Sequence, residues 1–401
     1  MDEAKALSFP FTSPTPLDPP TEWADLREKC PVAHITLPSG DSARLVTRYA
    51  DVKQVLADPR FPRATADSAR VADTESGGLF NSDMAQAMPQ DGEAHQRWRR
   101  MITKWFTVKR MRMLQPRIEA MADLLIDDMV KRGQPADLKA GLGFPLPVWV
   151  ICDMLGVPDS DRDKFAYWSD TMLSLTRYTQ AQMETSAAEF LSYMTAHVQA
   201  KRAEPGDDLL SDLITTSDAG GGGLPDLVLV YTGQGLLVAG HETTANMIGK
   251  MVAMLLADRR QWEALVADRS LVRGAVEEAL RIDANPGLGM VRYLTKDLEV
   301  AGERLPTGTT VMCSMGAANR DETVYPNADT MDLSRTPNPH LSFGVGPHSC
   351  IGQSLARTEL QVVLEVLLRR LPTLELAVAP DELNRVEGLA VGGLREVPVR
   401  W

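Results

Sequence analysis

The sequence predicts a mainly α protein with a small β portion, folded as a single domain over residues 1–401. Three observations carry this. Apolar residues recur at helical spacing through most of the chain beyond residue 94. The stretch from about 225 to 257 is apolar nearly all round, as a helix buried at the centre of a molecule must be. No internal repeat and no break in composition divides the chain.

Taken in order, residues 1–22 are rich in Pro, Ser and Thr and form an extended arm. Ala33–Leu37 and Ala43–Thr47, parted by Pro38-Ser39-Gly40-Asp41, read as a hairpin. A helix begins at Asp51 and is closed by Asp58-Pro59. From Phe61 to Gly92 periodicity is weak and Ala, Ser, Asp and Gly abound, the composition of a long functional loop. Helices are expected over Ala94–Trp105, Leu114–Lys131, Leu146–Leu155, Asp161–Tyr178, Ala181–Ala203 and Leu209–Thr215. Gly220–Gly223 is a flexible connector, and Pro225 suits the first position of the central helix. At the rise of an α-helix that element spans roughly 50 Å, enough to cross the molecule. Arg273–Ile282 is a further helix, halted before Pro286. Residues 291–313 alternate like strands, broken at Ala301-Gly302 and Pro306-Thr307-Gly308. A last long helix covers about Gly352–Arg370, and the final thirty residues are β-like.

Composition narrows the class. With 42 basic and 54 acidic residues the net charge is −12, which argues against a nucleic-acid binder. Four cysteines (Cys30, Cys152, Cys313, Cys350) are too few for a disulfide scaffold. The acidic start Met-Asp-Glu-Ala-Lys has no signal-peptide character, and no apolar run is long enough for a membrane span. A soluble, cytoplasmic protein is the expectation.

Chemistry concentrates in Phe343-Gly344-Val345-Gly346-Pro347-His348-Ser349-Cys350-Ile351-Gly352. Its glycines allow a tight turn and close approach of backbone to something bulky. Cys350 stands just ahead of a helix whose positive end favours a thiolate, the state an axial iron ligand needs. An inert buried thiol is the better reading for Cys30, Cys152 and Cys313. Zinc lacks a second Cys/His pair here, and no C-x-x-C-H marks covalent haem. Midway along the central helix, Ala239-Gly240-His241-Glu242-Thr243-Thr244 puts a glycine, a carboxylate and two hydroxyls where a buried helix would avoid them. Thr243 can bond back to the carbonyl of Ala239 and loosen the ladder. A zincin is excluded by Ala245, where its second histidine would stand. A plain helix contact through Gly240 is the competing explanation.

The string from Phe343 to Gly352, continuing to Leu355-Ala356-Arg357, resembles the haem-binding signature of the cytochrome P-450 superfamily. The 239–244 segment resembles that family's oxygen-activation motif, and Glu278-x-x-Arg281 its core ion pair. The likeness spans the chain and implies the cytochrome P-450 fold, a helical prism with small β-sheets. It implies haem b (iron protoporphyrin IX) ligated by Cys350, and Glu242 and Thr243 organising protons for dioxygen. Ala239 and Gly240 would let the haem approach, while Phe343, Gly344 and Gly352 shape the cysteine loop. His95, Arg99, Arg292 and His348 match the family's propionate partners, whose carboxylates want cations. Where the family adds an arginine to the core pair, this chain has Thr330 and Met331, leaving the third member open.

Arg97–Arg112 holds seven bases and no acid. The resemblance makes this a docking face, with Arg100, Lys104 and Arg110 steering a ferredoxin and Arg99 turned inward. No segment houses a flavin, nicotinamide or iron–sulfur unit, so ferredoxin and ferredoxin reductase are expected partners. The implied function is a haem-thiolate monooxygenase of actinobacterial secondary metabolism, acting with dioxygen on a medium-sized apolar or aromatic natural product. Hydroxylation and oxidative coupling both remain open. A fainter likeness, in Ser8–Phe61 and Pro398–Trp401, is to enzymes acting on cyclodipeptides. The alternatives are a P-450-fold peroxygenase and a silent recruitment module, neither of which needs the Glu242-Thr243 pair. The substrate pocket is expected to draw on 62–92, Thr171–Tyr178, Leu236, Ala239, Leu288–Val291 and Leu389–Gly392.

Overall fold

The computed structural model describes residues 6–63, 67–73, 82–219, 223–283 and 287–401. The helix Asp226–Ala257 runs unbroken for 32 residues, and most of its side chains are buried. Its length is the reason for its composition: every direction around such a rod is interior, so an amphipathic stripe would leave polar groups without water. Pro145–Leu155 and Gln180–Ala203 pack along it, with Gln353–Arg370 and Val272–Ile282 closing the other side. Pro225 is the residue that caps the helix rather than its first turn.

The β portion is small. Val32–Thr36 and Ser42–Val46 pair antiparallel as the expected hairpin, Val32 opposite Val46. Leu7–Ser8 adds to one edge in parallel, which is how the Pro-rich arm is held. On the other edge Thr310–Cys313 runs parallel to Ser42–Val46, and Met290–Tyr293 pairs antiparallel beyond it. Leu298–Val300 and Glu303–Leu305 form a separate hairpin whose turn, Ala301 and Gly302, has positive φ at both residues. Pro398–Arg400 lies between Ala136–Asp137 and Glu375–Leu376.

Several expectations need correcting. Asp161–Tyr178 is not one helix: the helix is Lys164–Met172. It stops because Leu173 and Leu175 spend their backbone groups on the C-terminal turn, through Ala390 N–H to Leu173 O (2.8 Å) and Leu175 N–H to Gly388 O (2.7 Å). For the same reason most of the final thirty residues is turn rather than strand. The helix Val108–Arg132 starts earlier than expected, because Thr107 caps it by accepting from the Arg110 N–H and Pro116 is tolerated inside. Helices Glu22–Lys29, Asp83–Ala87 and Arg259–Ala267 were not anticipated. The connector expected at Gly220–Gly223 falls mostly outside the described residues, as do 64–66 and 74–81 of the long loop.

The Glu278/Arg281 pair is fully buried, with Arg281 Nη2 2.7 Å from Glu278 Oε1 and Nε 2.8 Å from Oε2. Its third member is Arg335, whose Nε donates to Glu278 Oε1 at 3.0 Å. Thr330 contributes only its carbonyl, to Arg281 and Arg335. The guanidinium stands five residues further along the chain and reaches the Glu278 carboxylate from there. Asn338 and the Asp332 N–H complete the shell around Glu278, each at 3.0 Å. Burial pushes the Glu278 carboxyl up, but Arg281 and its other donors outweigh this and hold it below its ordinary value. Arg335→Ala should therefore lower stability by about 2–3 kcal/mol in urea unfolding, since it strips one cation from a buried carboxylate. A change within about 0.5 kcal/mol, the range of a neutral surface substitution, would remove Arg335 from the network.

Candidate active site

The loop leading to Cys350 is shaped by its own backbone. Gly344 N–H donates to Leu341 O and Cys350 N–H to Phe343 O, both at 2.7 Å, so the chain doubles back immediately before the sulfur. Gly344 and Gly346 have positive φ, and a Cβ on Gly346 would lie 2.8 Å from Ala57 Cα. Cys350 is exposed and immediately precedes the helix Gln353–Arg370. Although the residue is exposed, the protein crowded around its sulfur pushes the thiol up, while the Gly352 N–H and the charges of Arg99, Arg357 and Arg63 pull it down. Cys313, by contrast, is buried in the sheet and pushed up to about 12. Cys152 lies in the helical core.

Beneath this loop, Glu277 receives Arg357 at 2.7 and 3.1 Å, with His340 Nε2 3.0 Å away. The Arg357 guanidinium sits 4.4 Å from the centre of the Phe343 ring. Arg357 thus joins the ion-pair helix to Phe343, whose backbone carbonyl receives Cys350 N–H.

A cationic group gathers beside the cysteine. Arg99, from the helix Gly92–Thr103, donates to the Ser349 carbonyl. His95 and His348 are buried with ring centres 4.6 Å apart. Arg292 is buried on its strand, and its Nε has no partner; neither has His95 Nε2. Arg63, which the sequence did not single out, reaches His348 Nδ1 at 3.5 Å. Among the described residues, the carboxylate paired with this group is Asp91, 3.8 Å from His348. Burial and mutual repulsion show in the titration: His348 is pushed down to about 3 by burial and by Arg63 and Arg292, and Arg63 to about 10 by burial and its arginine neighbours. Positive charge left over around orphaned donors fits a ligand carrying more than one carboxylate, as haem does. His95, Arg99, Arg292 and His348 are therefore brought together as expected, and Arg63 joins them.

On the central helix, Gly235 has open space where a Cβ would stand, Ala239 is exposed and Thr243 half-buried. Spaced at i, i+4 and i+8, they share one face. Thr243 Oγ donates to Ala239 O at 2.9 Å without interrupting the helix, so the expected loosening is absent. A Cβ on Gly240 would meet Ile151 at 2.8 Å, so the crossing with Pro145–Leu155 requires glycine there, as the competing explanation has it. Glu242 is buried and accepts from Asn246 Nδ2 at 2.8 Å. Helical spacing alone could have found Asn246, four residues on; no local pattern marks Arg63.

The basic helix is less free than its composition suggests. Lys104 is paired with Asp212 at 2.7 Å, and the Arg110 guanidinium lies 3.2 Å from the centre of the Trp105 ring. Arg100, Lys109 and Arg112 stay exposed, beside exposed Val108 and Met113. Trp98 pins the helix through Nε1 to Thr232 Oγ at 2.9 Å.

Residues 163–386 match the family model described as Cytochrome P450. The chain is 39% identical to mycinamicin IV hydroxylase/epoxidase of Micromonospora griseorubida and 40% identical to nocardicin C N-oxygenase of Nocardia uniformis subsp. tsuyamanensis, each over the full length of both chains. A crystal structure of the putative thioether synthase SgvP, from a tailoring step of griseoviridin, superposes with a TM-score of 0.92 at 36% identity, covering 99% of this chain and 100% of that one.

The Glu277 brace has a pH signature. Burial alone would raise its carboxyl, but His340 and Arg357 hold it at about 2 against an ordinary 4.5. A depressed acid contributes stability above its unfolded value and loses it as pH falls through the folded one. The contribution is about 3 kcal/mol at neutral pH, lost between about pH 4.5 and 2. Urea midpoints between pH 5 and 3 should fall less steeply for Glu277→Gln than for the unaltered chain; parallel curves would contradict the brace.

Proposed function

The chain belongs to the cytochrome P450 family, and we propose that it is a tailoring monooxygenase whose Cys350 ligates haem b. The cationic group carries this reading: Arg63, Arg99 and Arg292 supply more positive charge than Asp91 offsets, with His95 and His348 beside them as neutral imidazoles, next to a cysteine held by Phe343 and Gly352. A haem bound there supplies activation of dioxygen and transfer of one oxygen atom to a substrate.

The chain's residues divide the remaining work. The arginines and His95 hold the propionates, and Arg99 also fixes the cysteine loop through the Ser349 carbonyl. Thr243 Oγ donates to Ala239 O and lies on the open face of the helix, where a proton passes by exchange of that hydroxyl. Glu242 replenishes that proton from the next position along the helix. Gly235 and Ala239 keep the face clear, and Leu236, Leu288 and Val391 give the pocket an apolar lining, suited to a medium-sized apolar or aromatic natural product. Names of the relatives, a hydroxylase/epoxidase and an N-oxygenase, agree with oxygen insertion into such compounds. Electrons come from a separate ferredoxin and its reductase, docking on Arg100, Lys109 and Arg112 with Val108 and Met113 between them. Lys104 shares its charge with Asp212 and stays partly exposed at the edge of that face.

A spectral-shift screen against macrolides, aromatic natural products and cyclodipeptides identifies substrate; with labelled dioxygen, the product of a hydroxylated hit should carry one labelled oxygen atom. Thr243→Ala should keep oxygen consumption while diverting most of it to peroxide, a loss of about tenfold or more in product per dioxygen. Unchanged yield would refute the proton role. Reduction by a surrogate ferredoxin should slow as ionic strength rises and fall about tenfold in Arg100→Glu/Arg112→Glu. Insensitivity to both would remove the docking face.

A further inference from the structure

Asn246 is fully buried and makes half of its hydrogen bonds poorly. Its Nδ2 donates to Glu242 Oε1 at 2.8 Å, but its Oδ1 has no partner. A buried amide oxygen without a donor costs stability, so something else dictates where this side chain sits. The neighbour on that side is Gly393. A Cβ there would lie 2.1 Å from Asn246 Oδ1 and 2.4 Å from Cγ, so only glycine permits this packing. Gly393 is itself fixed. Its carbonyl accepts from Val386 N–H at 2.9 Å, and the next carbonyl, Leu394, accepts from the largely buried Lys139 ammonium at 2.8 Å.

The same turn carries Val391, to which the proposed function gives a part in lining the pocket. Gly388 and Ala390 bond to Leu175 and Leu173, and Ala390 O accepts from Leu288 N–H at 3.2 Å. Gly287 packs so close to Gly392 that a Cβ would approach its nitrogen to 3.2 Å. A continuous set of contacts therefore runs from this turn through Gly393 and Asn246 to the carboxylate of Glu242. We propose that Asn246 and Gly393 are positioning residues for Glu242, so that the turn bordering the substrate sets the orientation of the acid that supplies protons. This rests on the monooxygenase reading above. It also gives the unsatisfied Oδ1 a reason: the amide is turned to serve the carboxylate, and the glycine backbone holds it there at the cost of one acceptor. A substrate that presses on the turn moves the acid with it, tying proton supply to occupancy.

The test needs no identified substrate. Haem-loaded enzyme with a surrogate ferredoxin and reductase reduces dioxygen either to peroxide, with two electrons and two protons, or to water, with four of each. The fraction leaving as peroxide reports proton supply. Asn246→Leu should raise the ratio of peroxide to water by about threefold or more, and by less than about 1.5-fold when Glu242 is already Gln, because residues acting as a unit are not additive. Asn246→Ser, which keeps a donor, should restore most of the original partition. Gly393→Ala should act like Asn246→Leu and likewise lose its effect in the Glu242→Gln background. Urea midpoints of the Glu242→Gln/Asn246→Leu cycle provide a readout independent of turnover, and should also be non-additive. Additive effects in both measurements, or an unchanged partition in Asn246→Leu, would overturn the proposal. Failure of the unaltered enzyme to bind haem through a thiolate would instead overturn the reading on which it rests.

Discussion

The helical body of this molecule answers to one constraint: a 32-residue helix that passes through the interior with almost no solvent contact. Burying a rod of that length demands apolar side chains in all directions, and each polar residue kept on it must find a partner or a purpose. Thr232 is partnered by Trp98, Lys250 by Asp283 and Glu242 by Asn246. Thr243 bonds its own backbone. What remains is a single face, at Gly235, Ala239 and Thr243, where the packing stops and space begins. The proposed active site is the place where burial of the central helix is interrupted.

The cysteine loop is organised by the opposite device, an excess of unneutralised charge. Three guanidiniums and two imidazoles are held together at a depth where burial, and after it their mutual repulsion, lowers the affinity of His348 and Arg63 for protons. A fold tolerates such crowding when a polyanion completes it. Two further ion networks, Glu278–Arg281–Arg335 and Glu277–Arg357–His340, anchor the helix below the loop and keep it from yielding to that repulsion. The three clusters form a graded series, from fully paired at Glu278 to conspicuously unpaired beside Cys350.

Much of this was legible in the sequence because it is written in local patterns. The apolar run of the central helix, the hairpin around Ser39-Gly40 and the cysteine loop all follow from residue spacing. What was not legible depends on contacts between distant segments. Arg335 reaches Glu278 across 57 residues, Arg63 meets His348 across 285, and the helix at Lys164–Met172 stops because of a turn more than 200 residues away. Gly240 illustrates the ambiguity of a motif: six residues fitted an oxygen-activating helix, but the glycine among them is fixed by Ile151. In the basic helix the charge count was right, yet Asp212 and Trp105 had already claimed two of the cations.

The claim on which the whole reading turns is that the cation cluster holds haem b and that Cys350 is its thiolate ligand. It is tested most directly by the absorption spectrum of the reduced, haem-loaded protein under carbon monoxide. Thiolate ligation predicts a strongly red-shifted Soret band in the unaltered chain, lost in Cys350→Ala with haem still bound. A band at the position typical of histidine-ligated haem in both proteins would contradict it.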